Sequence, residues 1–82
     1  MYEYRETWYK VSDDGTEHEK SWRFTTGSLM LAMKNFETAT HDFCHEGCCK
    51  SWDLLTLEIC RMSNNDREAL ASAKLYADAI QA

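Results

Sequence analysis

The segment Thr26–Gly47, TGSLMLAMKNFETATHDFCHEG, is the longest stretch of this chain with a single hydrophobic period, and the other elements have to be arranged around it. At about 100° per residue, Leu29, Ala32, Met33, Phe36, Ala39, Thr40 and Phe43 fall on one side and Lys34, Asn35, Thr38, Asp42 and Glu46 on the other. The spacing predicts one amphipathic helix whose apolar stripe needs a cover. Thr26 or Ser28 can cap its start, because a hydroxyl accepts a bond from an N–H left unpaired in the first turn. Gly47 suits the position just past its end, where the left-handed conformation is common.

Two flanking runs rich in aromatic and β-branched residues, YEYRETWYKV (2–11) and EHEKSWRFTT (17–26), are separated by Ser12-Asp13-Asp14-Gly15-Thr16, which is the signature of a hairpin. A type I turn at Asp13-Asp14 with Gly15 left-handed pairs Ser12 with Thr16 and sets the register outward from there. Tyr4 then faces Phe24, Glu6 faces Trp22 and Trp8 faces Lys20, with Tyr2 on the same side, while Glu3, Arg5, Thr7, Tyr9, Glu19, Ser21 and Arg23 occupy the other. The result is a core face and a wet face, with Glu6 as the single misfit. Residues 53–62 alternate, with Leu55, Leu57 and Ile59 opposite Thr56, Glu58 and Cys60, and predict a third strand. Asn65 and Glu68 stand at capping-box spacing, and Leu70, Ala73, Tyr76, Ala77 and Ile80 recur at helical intervals, which predicts a second helix.

These elements make an α+β domain of order ββαβα spanning residues 1–82: a three-stranded antiparallel sheet, strand order 2-1-3, with two helices packed on one face and the opposite face open. The expected core is Tyr4, Trp8, Trp22, Phe24, Leu29, Met33, Phe36, Phe43, Leu55, Leu57, Ile59, Leu70 and Ile80. A chain of 82 residues buries only about 60–65% of its unfolded surface, so aromatic area has to make up for a small core. No Pro or low-complexity segment marks a linker.

The start of the chain, MYEYRETWYK, carries charges where a signal peptide needs an apolar run, so the expectation is a cytoplasmic protein with no membrane association. Four cysteines in that compartment read as free thiols or metal ligands rather than disulfides. A net charge of −5 argues against direct nucleic-acid binding and favours partners with a basic surface.

Chemistry-bearing residues gather in three places. His41, Cys44, His45 and Cys48 offer soft ligands around one helix end, the kind of donor set zinc takes, with His18 and Cys60 as the remote candidates. Structural zinc sites tie separated ligand pairs together and this cluster is local, so the expectation is no metal and no cofactor; a small zinc-binding structural module using His41–Cys49 is the alternative. A redox or nucleophilic role for Cys44, Cys48 or Cys49 is opposed by the helix C-terminus, whose dipole disfavours a thiolate despite the adjacent Lys50.

The second place is the wet face, where Arg5 lies opposite Arg23 beside Tyr9; flanking Glu3, Glu19 and Glu58 can neutralise the pair, or a partner's carboxylate or phosphate can. The third is acidic: Asp13, Asp14, Glu17 and Glu19 on the hairpin with Glu37, Asp42 and Glu46 on the long helix, a set that fits a basic groove.

No phosphate loop, nucleophile elbow or metal-protease motif is present, so no enzymatic activity is expected. The profile, short, acidic, aromatic-rich and motif-free, resembles the small inhibitors encoded by phages and mobile elements, including anti-CRISPR proteins. That resemblance is one of size and composition. It implies a non-enzymatic protein-binding module, monomeric or weakly dimeric, that acts as a nucleic-acid mimic on a larger protein or nucleoprotein complex.

Overall fold

A computed structural model describes residues 1–46 and 51–77, the side chain of Glu46 excepted. Gly47, Cys48, Cys49, Lys50 and Ile80, singled out above as helix stop, ligands, neighbouring charge and core, lie outside the described residues. Among the described residues the strands are β1 (Tyr2–Val11), β2 (Glu17–Thr26), β3 (Leu54–Ser63) and β4 (Asp66–Tyr76), and the α-helix is α1 (Leu29–His41), between β2 and β3. A π-helical turn, Asp42–Glu46, continues α1.

The expected hairpin forms. Ser12 N–H donates to Thr16 O (2.9 Å) and Gly15 N–H to Ser12 O (2.8 Å), with Gly15 at φ 86°, so the loop sets the pairing Tyr4↔Phe24, Arg5↔Arg23, Glu6↔Trp22 and Trp8↔Lys20. The third strand pairs antiparallel with β1, Tyr4↔Ile59 and Trp8↔Leu55. At the start of α1, Ser28 Oγ accepts from Leu31 N (3.2 Å) and Thr26 Oγ1 accepts from Ser28 N (3.0 Å), so both hydroxyls proposed as caps are used.

The expectation of a ββαβα chain with two helices on a three-stranded sheet is overturned. The order is ββαββ, and the sheet has four antiparallel strands in the order β2-β1-β3-β4. The tail assigned to a second helix is β4. Asn64 and Asn65, one of them read as a helix cap, instead form a two-residue hairpin turn between the paired Ser63 and Asp66, with Asn64 at φ 45°. Asn tolerates that conformation, which the tight hairpin turns demand.

The helical spacing of Leu70, Ala73 and Ala77 coexists with an alternation, Ala71, Ala73 and Leu75, which sets those side chains beside Ile59, Leu57 and Leu55 across the ladder. A bulge between Ile59 and Cys60 absorbs Leu70, which also packs on the core. Alanine favours a helix in isolation, but a helical tail would leave the outer N–H and C=O groups of β3 without partners, and a fourth strand satisfies them.

The core lies between α1 and the inner face of the sheet. Tyr4, Ala32, Phe43, Leu55, Leu57 and Ile59 are buried, with Trp8, Phe24, Met33, Phe36 and Leu70 half-buried around them. Trp22 and Leu29, expected inside, are 46% and 37% exposed because a single helix does not reach over the edge strand β2 or over its own first turn. Glu6, the misfit on the core face, is buried and accepts the Tyr4 hydroxyl at 2.6 Å, and Tyr4 also reaches Asn35 O at 3.3 Å. Among the described residues no helix is long and apolar enough to cross a membrane.

Candidate functional site

Among the described residues α1 covers one face of the sheet and no element covers the other, whose side chains the ladders arrange in rows across four strands. One row runs Arg23, Arg5, Glu58, Ser72; the next runs Ser21, Thr7, Thr56, Lys74; a third runs Glu19, Tyr9, Leu54, Tyr76. Arg5, Thr7 and Tyr9 of β1, Thr56 and Glu58 of β3, and Ser72 and Lys74 of β4 line a trough of about 450 Å³ on this face. Its cationic groups are Arg5 on the inner strand β1 and Lys74 on the edge strand β4, with the hydroxyls of Thr7, Thr56 and Ser72 between them.

One end of the face is locked by ion pairs. Glu3 is only 5% exposed although it points to this side, since Arg67 (2.8 Å), Arg5 (3.1 Å) and Arg23 (3.6 Å) close over it. Arg67 also donates to Glu58 Oε1 (2.9 Å), and the Cys60 thiol donates to that oxygen at 3.1 Å. Burial pushes the Glu3 carboxyl up, but the bond to Arg67 and the charges of Arg67, Arg5 and Arg23 outweigh it and hold the group below the usual carboxylate range. The bond from Cys60, followed by that from Arg67, lowers Glu58. Burial first, then the bond to the Glu58 carboxylate, raises the Cys60 thiol, which is therefore a protonated donor rather than a nucleophile. Three guanidinium groups share two carboxylates here, so this end keeps a surplus positive charge within an acidic chain.

The facing of Arg5 and Arg23 was legible in the hairpin, and Glu3 is one of the flanking carboxylates expected to neutralise them. The residues that complete the surface were not. Arg67, Ser72 and Lys74 belong to the tail read as a helix, and the one sequence signal for them was the alternation Ala71, Ala73, Leu75.

Among the residues expected to bind a partner, Arg5, Tyr9, Arg23, Glu17 and Glu19 share the open side, since odd-numbered residues of β1 and β2 face the same way. Asp13 and Asp14 sit at the hairpin tip, with Asp14 Oδ1 accepting from Thr16 N at 2.9 Å. Glu37 lies on α1, and Asp42 and Glu46 on the π-helical turn that continues it, behind the sheet. Glu17 and Glu19 therefore lie on the open side of the sheet, while α1, which carries Glu37, packs on the other.

At the helix end, the His41 and His45 rings are 4.8 Å apart and the His41 Nδ1 is 3.7 Å from Asp42 Oδ1. Cys44, half-buried, shares a shallow dimple with Phe36, Glu37, Thr40 and both histidines. Cys60 points to the opposite side of the sheet and His18 Nε2 bonds Ser12 Oγ (2.8 Å), so neither remote ligand joins His41, Cys44 and His45, the described members of this cluster. Among the described residues no three His, Cys, Asp or Glu side chains stand together in a metal-binding arrangement.

Compared with known proteins, the chain matches no family model, no curated protein and no solved structure.

Proposed function

We propose that this chain is a non-enzymatic binding module, acting as small inhibitors do by docking on a larger protein or nucleoprotein assembly, and that it docks through the open face of the sheet. The observation that carries this reading is the trough lined by Arg5, Thr7, Tyr9, Thr56, Ser72 and Lys74, held at one end by the Glu3–Arg67–Glu58 network. Strand-mounted side chains with locked neighbours present a fixed pattern of donors, and fixing donors in advance lowers the entropy lost on binding. Net charge of −5 steers the whole molecule toward a basic partner. Glu17 and Glu19 at the hairpin end of this side accept the partner's cations, while Arg5 and Lys74 accept a carboxylate.

The test is affinity capture with three forms of the protein: the unmodified chain, Arg5→Gln/Tyr9→Ala/Lys74→Gln, and Glu37→Lys/Asp42→Lys. The expected outcome is a specific partner retained by the unmodified chain and by the helix variant and lost by the trough variant. Retention by the trough variant with loss by the helix variant would refute docking through the open face.

A further inference from the structure

The edge of the sheet at β2 is a second feature that the trough does not use. All of β2 from Glu17 to Arg23 is exposed, the strand has ten residues, and it carries no bulge and no proline. The other edge, β4, is interrupted by the register shift beside Ile59 and Cys60. Long regular edges are templates for further strand pairing, which natural sheets block with bulges, prolines or a covering element. Among the described residues none of these three protects β2; the remaining device, charged side chains, is present as Glu17, Glu19, Lys20 and Arg23, and any pairing has to match those charges.

Which backbone groups are unpaired follows from the hairpin. Ser12 N–H bonds Thr16 O, so the bonded pairs recur at every second residue, Lys10↔His18, Trp8↔Lys20, Glu6↔Trp22 and Tyr4↔Phe24. The even residues of β2 thus point their N–H and C=O toward β1. Those of Glu17, Glu19, Ser21, Arg23 and Thr25 point outward, along the free edge.

We infer that β2 pairs antiparallel with β2 of a second copy of this chain, about a two-fold axis at Ser21, to make a continuous eight-stranded sheet. Side-chain charge selects this register. With Ser21 opposite Ser21, Glu19 faces Arg23 of the second copy, and Arg23 faces its Glu19, both on the open side of the sheet. On the helix side Lys20 faces the second copy's Trp22, a cation opposite an indole that is 46% exposed in one chain. Sliding the strands by one residue each exchanges the Glu19–Arg23 pairs for Glu17–Arg23 pairs but sets Lys20 against Lys20 and takes Trp22 away from it, so the like charges on the helix side decide against that register. Arg23 already lies 3.6 Å from Glu3, and its side chain is 68% exposed, so donors remain for a second carboxylate.

The geometry leaves room. Three strand spacings separate the two β1 strands, about 14 Å, and helices about 10–12 Å across fit side by side on them. The two open faces then join into one surface bearing both troughs. Isologous pairing of this kind closes on itself, so it yields dimers and not filaments.

Charge reversal tests the register directly. Sedimentation velocity on the whole chain should show a reversible dimer. Glu19→Arg alone, or Arg23→Glu alone, replaces two attractive pairs by two repulsive ones and should weaken the dimer on the order of thirtyfold. Mixing the two variants in equal amounts restores both pairs and should return a dimer made of one chain of each. Arg23→Glu sets a carboxylate near Glu3, so a second measurement avoids it: amide exchange at Glu19, Ser21 and Arg23 in the unmodified chain should slow at least about tenfold between dilute and concentrated solution, and should not slow in Glu19→Arg. A chain that stays monomeric up to millimolar concentration would overturn the inference. So would a dimer indifferent to Glu19→Arg, or edge amides that exchange equally fast at both concentrations.

Discussion

Replacing Glu3 by Gln removes the charge on which three arginines converge while keeping the size of the side chain and one acceptor oxygen. The contact from Arg67 is the strong one, at 2.8 Å from a buried carboxylate. A charge-assisted bond of this kind contributes about 1.5–3 kcal/mol. The guanidinium groups of Arg5 and Arg23 stand at 3.1 and 3.6 Å and are well exposed, so each adds at most about 0.2–1 kcal/mol. Gln retains a neutral hydrogen bond, and the net loss comes to about 2 kcal/mol. For a domain of this length that lowers the melting temperature by about 8–15 °C.

The pH dependence has a definite sign. The folded pKa of Glu3 lies below its unfolded value, so the stability it contributes is present in full above that unfolded value, about 4.3, and is lost as pH falls through the folded pKa. Protonated Glu3 resembles Gln, and the gap between the two proteins should close at low pH. Urea unfolding of both at intervals from pH 7 to pH 3 measures it. A gap below about 0.5 kcal/mol at neutral pH, the range of ordinary surface changes, would refute the reasoning. A gap that widens as pH falls would do the same.

Two further outcomes follow from the core. Phe43, 1% exposed against Tyr4, Leu55, Leu57 and Ile59, should lose about 3–5 kcal/mol as Phe43→Ala; the half-buried Phe36 should lose less, and equal losses in denaturant titrations would show that the core is centred elsewhere. Glu6 behaves oppositely to Glu3: burial raises its carboxyl, the Tyr4 hydroxyl pulls it back, Asp42 raises it and Lys20 lowers it, leaving it above the ordinary value. The native state then holds the proton more tightly than the unfolded chain, and stability falls as pH rises between the two pKa values. Glu6→Gln should therefore stabilise the protein at neutral pH and lose that advantage in acid, and a variant less stable than the parent at pH 7 would contradict this.

The local chemistry of the sequence determined the first half of the fold. Asp13-Asp14-Gly15 admits one compact loop, that loop sets the register, and alternation assigns Tyr4, Trp8 and Phe24 to one side and Arg5, Thr7 and Arg23 to the other. The helix was equally legible, because a 3.6-residue stripe from Leu29 to Phe43 has no competing period. The tail was not, because residues 66–77 satisfy both periods with small side chains, and a local pattern with two solutions is settled by what lies beside it. The open edge of β3 was that neighbour, and its unpaired backbone groups made Asp66–Tyr76 a strand. With that strand came Arg67, which is far from Glu3 in sequence but completes the ion network, and Lys74, which closes the trough. Tertiary structure also decided the fate of the two carboxylates that strand alternation handles worst. Glu3, on the wet side, is buried beneath arginines, and Glu6, on the core side, is kept by a tyrosine hydroxyl. Alternation states which side of a sheet a residue takes, whereas burial depends on the long side chains that fold over it from other strands.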